Sequence, residues 1–152
     1  MQARIDTKRI RPDAYKAMRS LQAYVDGSGL DRHLQGLVTV RASQINGCAF
    51  CLHMHLRDAR KGGESQERLD LISAWREAPV FSARERAALA WTEAVTLLAD
   101  THVPDDVYEA ARAEFSEPEL VDLTMAVVAI NGWNRLMVAF RIPPDVGSVA
   151  GL

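Results

Sequence analysis

A chain of 152 residues, 48% hydrophobic and 25% charged, has the composition of an ordinary globular protein and the size of one domain. Such a chain buries roughly 70% of its unfolded surface in a single core. A net charge of −2 gives no electrostatic footing for nucleic acid or an anionic membrane, and two cysteines are too few for a secreted disulfide framework.

The N-terminal MQARIDTKRIRPDAYKAM carries charges where a secretory leader needs an apolar run. The longest strictly apolar stretch, Met125 to Ile130, is far too short to span a bilayer. A cytoplasmic setting is expected. Pro12 suits the first turn of a helix running to about Gly27, with Tyr15, Met18, Leu21 and Val25 at helical spacing. A second helix from Asp31 carries Leu34, Leu37, Val38 and Ile45 and stops at Asn46-Gly47. A third runs from about Cys48 to Gly62-Gly63, and a short fourth from Arg68 to Trp75.

Ser82 and Glu85 form a capping box that opens a helix to about Ala99, apolar on nearly every face. Such a helix belongs in the middle of a bundle or in a subunit interface. Pro104 starts a sixth helix. A second capping box, Ser116 with Glu119, starts a helix expected to break at Asn131-Gly132 and to resume from Trp133 to Arg141. Alternating β-branched runs are missing, so the fold is expected to be all-α, a single domain over 1–152 with 143–152 a loose tail. INGC at 45–48 and INGW at 130–133 repeat one lead-in, either as the trace of a duplicated hairpin or as convergent stop signals.

Residues 45–55 read INGCAFCLHMH. On a helix starting at Gly47 or Cys48, the residues Cys48, Cys51 and His55 stand at i, i+3 and i+7 and share one stripe, while His53 points elsewhere. Cysteines at that spacing can close a disulfide without unfolding the helix. The unpaired N–H groups of the first turn stabilise a thiolate at Cys48, and His55 is placed to take or hold the proton of Cys51. A thiolate attacks a peroxide oxygen or a disulfide sulfur, and the second cysteine resolves the product. Free cysteines also serve as small core residues, but this arrangement exceeds what packing requires. The string Cys-x-x-Cys-x-His-x-His also invites a metal reading. One helix cannot turn His53 and the stripe toward one tetrahedral centre, so no metal is expected.

The stretch SQINGCAFCLHMHLRDARKGGE (43–64), with RLDLISAWREAPVFSARERAALAWTEAVTLLA (68–99) and INGWNRLMVAF (130–140), resembles the alkylhydroperoxidase D-like proteins of the carboxymuconolactone decarboxylase superfamily. The resemblance implies a bundle of about seven to eight helices assembled as a homo-oligomer, a trimer or hexamer. It implies an antioxidant thiol peroxidase or disulfide reductase that uses no flavin, haem or metal, acting on a hydroperoxide and recycled by a thiol or dithiol. It casts Cys51 as the peroxidatic nucleophile, Cys48 as the resolving thiol and His55 as the proton-relay base. The helix dipole instead favours Cys48 as the low-pKa thiol; the adjacent base favours Cys51, which we take as the attacking sulfur.

One departure stands out. The peroxidases of the family carry a glutamate twelve residues before the first cysteine, and that position here is Gly36. Glu93 is the candidate substitute. A carboxylate among Ala90, Trp91, Ala94 and Val95 is costly to bury unpaired, and His55 is one partner that explains it. Solvent, or an arginine such as Arg84 or Arg86, explains it equally. Trp133 and Asn134 are expected to line the substrate pocket; Trp75 and Trp91 are expected in the core. Two other functions compete with the peroxidase: a decarboxylase or lactone-processing enzyme, for which the stripe offers no cation except protonated His55, and a redox-responsive protein without catalysis.

Overall fold

The computed structural model describes residues 2–146. Among them every regular element is helical, and nine helices appear: α1 (Thr7–Ile10), α2 (Pro12–Gly27), α3 (Arg32–Ile45), α4 (Ala49–Lys61), α5 (Gln66–Leu71), α6 (Ala83–Thr96), α7 (Leu98–Thr101), α8 (Asp105–Glu114) and α9 (Glu117–Ala139). A 3-10 turn, Ile72–Ala74, continues α5. No helix of the described residues is long and apolar enough to cross a membrane. Pro143 to Val146 carry no regular structure, and the rest of the tail expected at 143–152 lies outside the described residues.

Local chemistry sets most of the ends. Pro12 occupies the first turn of α2. In both capping boxes the serine hydroxyl accepts from the N3 backbone while the N3 glutamate accepts from the serine N–H. Helix α3 is the hub, packing against α4, α6 and α9. It buries Leu37, Val38, Val40, Ala42 and Ser43, each large apolar side chain stabilising the fold by roughly 1.5–3 kcal/mol. Helix α6 contributes Ala87, Ala88, Leu89, Trp91 and Ala94 to the same interior, so its apolar faces are mostly core.

Two sequence expectations are corrected. Helix α6 ends at Thr96, not Ala99, and the chain reaches α8 through α7 and a tight turn in which His102 and Val103 both have positive φ. Helix α9 does not break at Asn131-Gly132 but runs unbroken to Ala139. Asn131 turns its amide onto Val127 O within the helix and onto Thr96 Oγ across the bundle. Gly132 is there for closeness: a Cβ would stand 2.8 Å from Met18 Cε of α2. Tertiary partners thus override a local stop signal.

The two INGx stretches meet. Asn46 donates from its side-chain amide to Asn131 Oδ1 at 3.0 Å and to Asn134 Oδ1 at 2.8 Å. This clamp fixes the α3–α4 turn to the middle of α9, and the turn carries the cysteines.

Candidate active site

The α3–α4 turn is tight. Cys48 N–H donates to Ser43 O at 3.0 Å, and Gly47 adopts φ +61°, a conformation open to glycine and costly for most residues. Cys48 therefore becomes the N-cap of α4, just before the first turn, and its sulfur accepts from Cys51 N–H at 3.4 Å. Serine, threonine and aspartate usually do this; here a thiolate does it well, being an anion at the positive end of a helix.

Both cysteines are free thiols. The Cys48 thiol is drawn down to about 7, first by a hydrogen bond from the Cys51 thiol, then by the backbone N–H groups of Cys51 and Phe50 and the amide of Asn134, against the opposing effect of burial. The Cys51 thiol is pushed up by the same hydrogen bond, by burial and by the neighbouring Cys48 charge. The two shifts run in opposite directions, so of the pair Cys48 is the thiol that ionises first. The lowered value falls on Cys48, the sulfur at the N-terminus of α4.

Access favours the other sulfur. Each cysteine is only 1% exposed, yet Cys51 forms part of the wall of a cavity of about 620 Å³. Phe50, Met54, Tyr15, Trp133, Met137 and Ile142 give that cavity its apolar lining, and His55 borders it beside Cys51. Tyr15 and Trp133 meet edge to face, 5.1 Å between centroids. The N-terminal arm closes one side, held down where Arg4 N–H donates to Phe140 O at 2.9 Å and its guanidinium to Ala139 O.

His55 makes no hydrogen bond among the described residues. Burial lowers its pKa, partly offset by the negative charge of Asp58, so the ring is neutral near pH 7. It also borders a second cavity, about 350 Å³, lined by Gly36, Asp26, Asp58 and Glu64 among others. That cavity lies where the side chain missing at Gly36 would project, since only Ala59 Cβ, at 3.8 Å, meets a Cβ built there. His53 borders neither cavity. No cluster of three or more His, Cys, Asp or Glu side chains among the described residues is arranged to hold a metal.

Two expected site residues are placed differently. Glu93 does not stand against His55. Its Oε1 accepts from Arg41 Nε and Trp75 Nε1, both at 2.8 Å, and its Oε2 pairs with Arg76 at 2.5 Å. The partner is an arginine pair, though neither Arg84 nor Arg86, and the carboxyl is held below its usual range by those bonds against the effect of burial. Asn134 does not line the cavity; buried behind the cysteines, it donates to Ser43 Oγ and favours the thiolate at both sulfurs. Trp133 does line it. Lys8 and Arg19 at the cavity mouth were missed, because nothing in the sequence ties residues 3–19 to the cysteines.

Residues 12–94 match the carboxymuconolactone decarboxylase family. The chain is 39% identical over 139 residues to the uncharacterized protein YdfG of Bacillus subtilis strain 168, covering 91% of this chain and 95% of YdfG. It superposes with TM-score 0.94 and 46% identity on a protein of unknown function from Agrobacterium tumefaciens, described as a candidate antioxidant defence protein AhpD, over 96% of this chain and all of that one. The debrominase Bmp8, at 18% identity and TM-score 0.83, shares the fold over 92% of this chain and 75% of its own.

Proposed function

This chain belongs to the carboxymuconolactone decarboxylase family, and from that premise and its cysteine pair we propose that it is a thiol-dependent hydroperoxide reductase. The observation that carries the reading is a pair of free cysteines at the start of α4, of which Cys51 borders an apolar cavity that His55 also borders.

The resting state has a thiolate at Cys48 and a thiol at Cys51. A hydroperoxide enters the cavity, and Cys51 attacks its terminal oxygen while passing its proton to the Cys48 thiolate. The O–O bond breaks, and His55 delivers a proton drawn from solvent to the departing alkoxide, releasing an alcohol. The Cys48 sulfur then displaces hydroxide from the Cys51 sulfenic acid, and that hydroxide leaves as water with the Cys48 proton. Two electrons have passed from two thiols to the peroxide, and an external thiol or dithiol reduces the resulting disulfide. Cys48 is therefore both the first proton acceptor and the resolving sulfur.

The test is consumption of cumene hydroperoxide in the presence of dithiothreitol. Cys51→Ser abolishes it; activity surviving that substitution refutes the reading. Cys48→Ser leaves a sulfenic acid at residue 51 that a diketone trap labels. A decarboxylase remains the second reading, favoured by the cations Lys8 and Arg19 at the cavity mouth. It predicts turnover of a small anionic lactone that survives loss of either cysteine. The exposed apolar residues Leu97, Leu98 and Val128, which border one hollow, support self-association as a trimer or hexamer. A free thiol pair suits the reducing cytoplasm.

A further inference from the structure

The cavity beside Cys51 is lined by groups of graded polarity and exposure. Its lining runs from buried Cys51 and half-buried His55, through aromatic and aliphatic side chains, to the exposed cations Lys8 and Arg19 at the surface. Both cations are exposed and neither has a carboxylate partner among the described residues. The Lys8 ammonium lies 6.0 Å from the centre of the Tyr15 ring, whose edge meets Trp133. Asp6 also borders the mouth, but its carboxylate accepts from Arg9 N–H as the N-cap of α1. The mouth thus keeps a net positive charge. Unpaired cations at the rim of an apolar cavity fit a ligand that is anionic at one end and greasy along its length.

We propose that the substrate is the hydroperoxide of an unsaturated fatty acid, bound with its carboxylate at Lys8 and Arg19 and its hydroperoxide at Cys51. The assignment rests on the hydroperoxide reductase reading. The acyl chain lies along Tyr15, Phe50 and Trp133. Cys51 takes the terminal oxygen, the O–O bond breaks, and the product is the corresponding hydroxy fatty acid. Cys48 closes the disulfide with loss of water, and a small dithiol restores both thiols. A volume of about 620 Å³ lies within the range of cavities that hold ligands of this size.

The experiment compares three hydroperoxides on the full chain with dithiothreitol as reductant: linoleic acid hydroperoxide, its methyl ester, and cumene hydroperoxide. The expected kcat/KM for the free acid exceeds that for the ester by about tenfold, which two exposed ion pairs can supply together. In the double variant Lys8→Glu, Arg19→Glu the ratio falls to about one or below, and added salt reduces it in the native protein. Turnover of cumene hydroperoxide with an acid-to-ester ratio near one in the native protein overturns the inference and leaves the reductase standing. A ratio that the double variant does not change also overturns it. Turnover of none of the three overturns the reductase reading, and the fatty acid assignment with it.

Discussion

Replacing Gly36 by glutamate restores the side chain that peroxidases of this family carry, at a site the structure leaves open. A Cβ there makes ordinary contact with Ala59 and nothing closer, and the cavity beyond has about 350 Å³. Removing a glycine from the interior of α3 stabilises the protein by roughly 0.5–1 kcal/mol, which raises Tm by roughly 1–4 °C at this chain length. The new carboxylate shares the cavity with His55 and raises its pKa. Asp26, Asp58 and Glu64 oppose the added charge, while Arg32 and His33 favour it. A carboxylate backing the histidine increases hydroperoxide turnover at least tenfold, the low end of what a proton relay contributes being ~10²-fold when it acts in full. The assay pairs NMR titration of the His55 ring with thermal unfolding and cumene hydroperoxide turnover. A stabilised variant whose His55 titrates as in the native protein refutes the assignment of that cavity to the missing glutamate. A fall in Tm refutes the claim that the site is open.

Other outcomes follow from named contacts. Asp58→Asn removes the one charge that supports protonation of His55, so the ring's pKa falls further below its ordinary value, as NMR titration will register. Glu93→Gln leaves Arg41, whose side chain is 18% exposed, short of its counter-charge; it lowers stability by roughly 1–3 kcal/mol in urea unfolding. Alkylation of the cysteines is unchanged in that variant, because Glu93 bonds to Arg41, Arg76 and Trp75 and not to the thiol site. An alkylation rate altered as much as by His55→Ala argues instead that Glu93 belongs to the relay. Cysteine alkylation in the native protein rises with pH through about 7, since the reactive form is the deprotonated one.

The parts of this protein written locally were legible. Helix starts at Pro12, Ser82 and Ser116, and the stop at Asn46-Gly47, depend on residues within one turn of each other. So does the placing of Cys51 and His55, one turn apart on α4, on the wall of one cavity. Apart from the end of α6, the misreadings involve distant partners. Asn131-Gly132 reads as a stop because Asn46 and Thr96, which satisfy Asn131, and Met18, which Gly132 accommodates, lie far away in sequence. Glu93 could be seen to need a partner, but Arg41 stands 52 positions before it and gives no signal of its own. The cavity was illegible for the same reason: its walls come from the N-terminal arm, α2, α4 and α9. The choice between the cysteines also needed coordinates, since one argument concerned where the charge rests and the other which sulfur a substrate meets.

Ultraviolet titration of thiolate absorbance in the fully reduced protein probes the sulfur pair itself. One thiolate appearing near pH 7 and the second withheld until far into the alkaline range is the behaviour of two sulfurs bound by a single proton. Two equal steps close to the ordinary thiol value of about 8.5 would contradict it, and with it the chemistry assigned to this site.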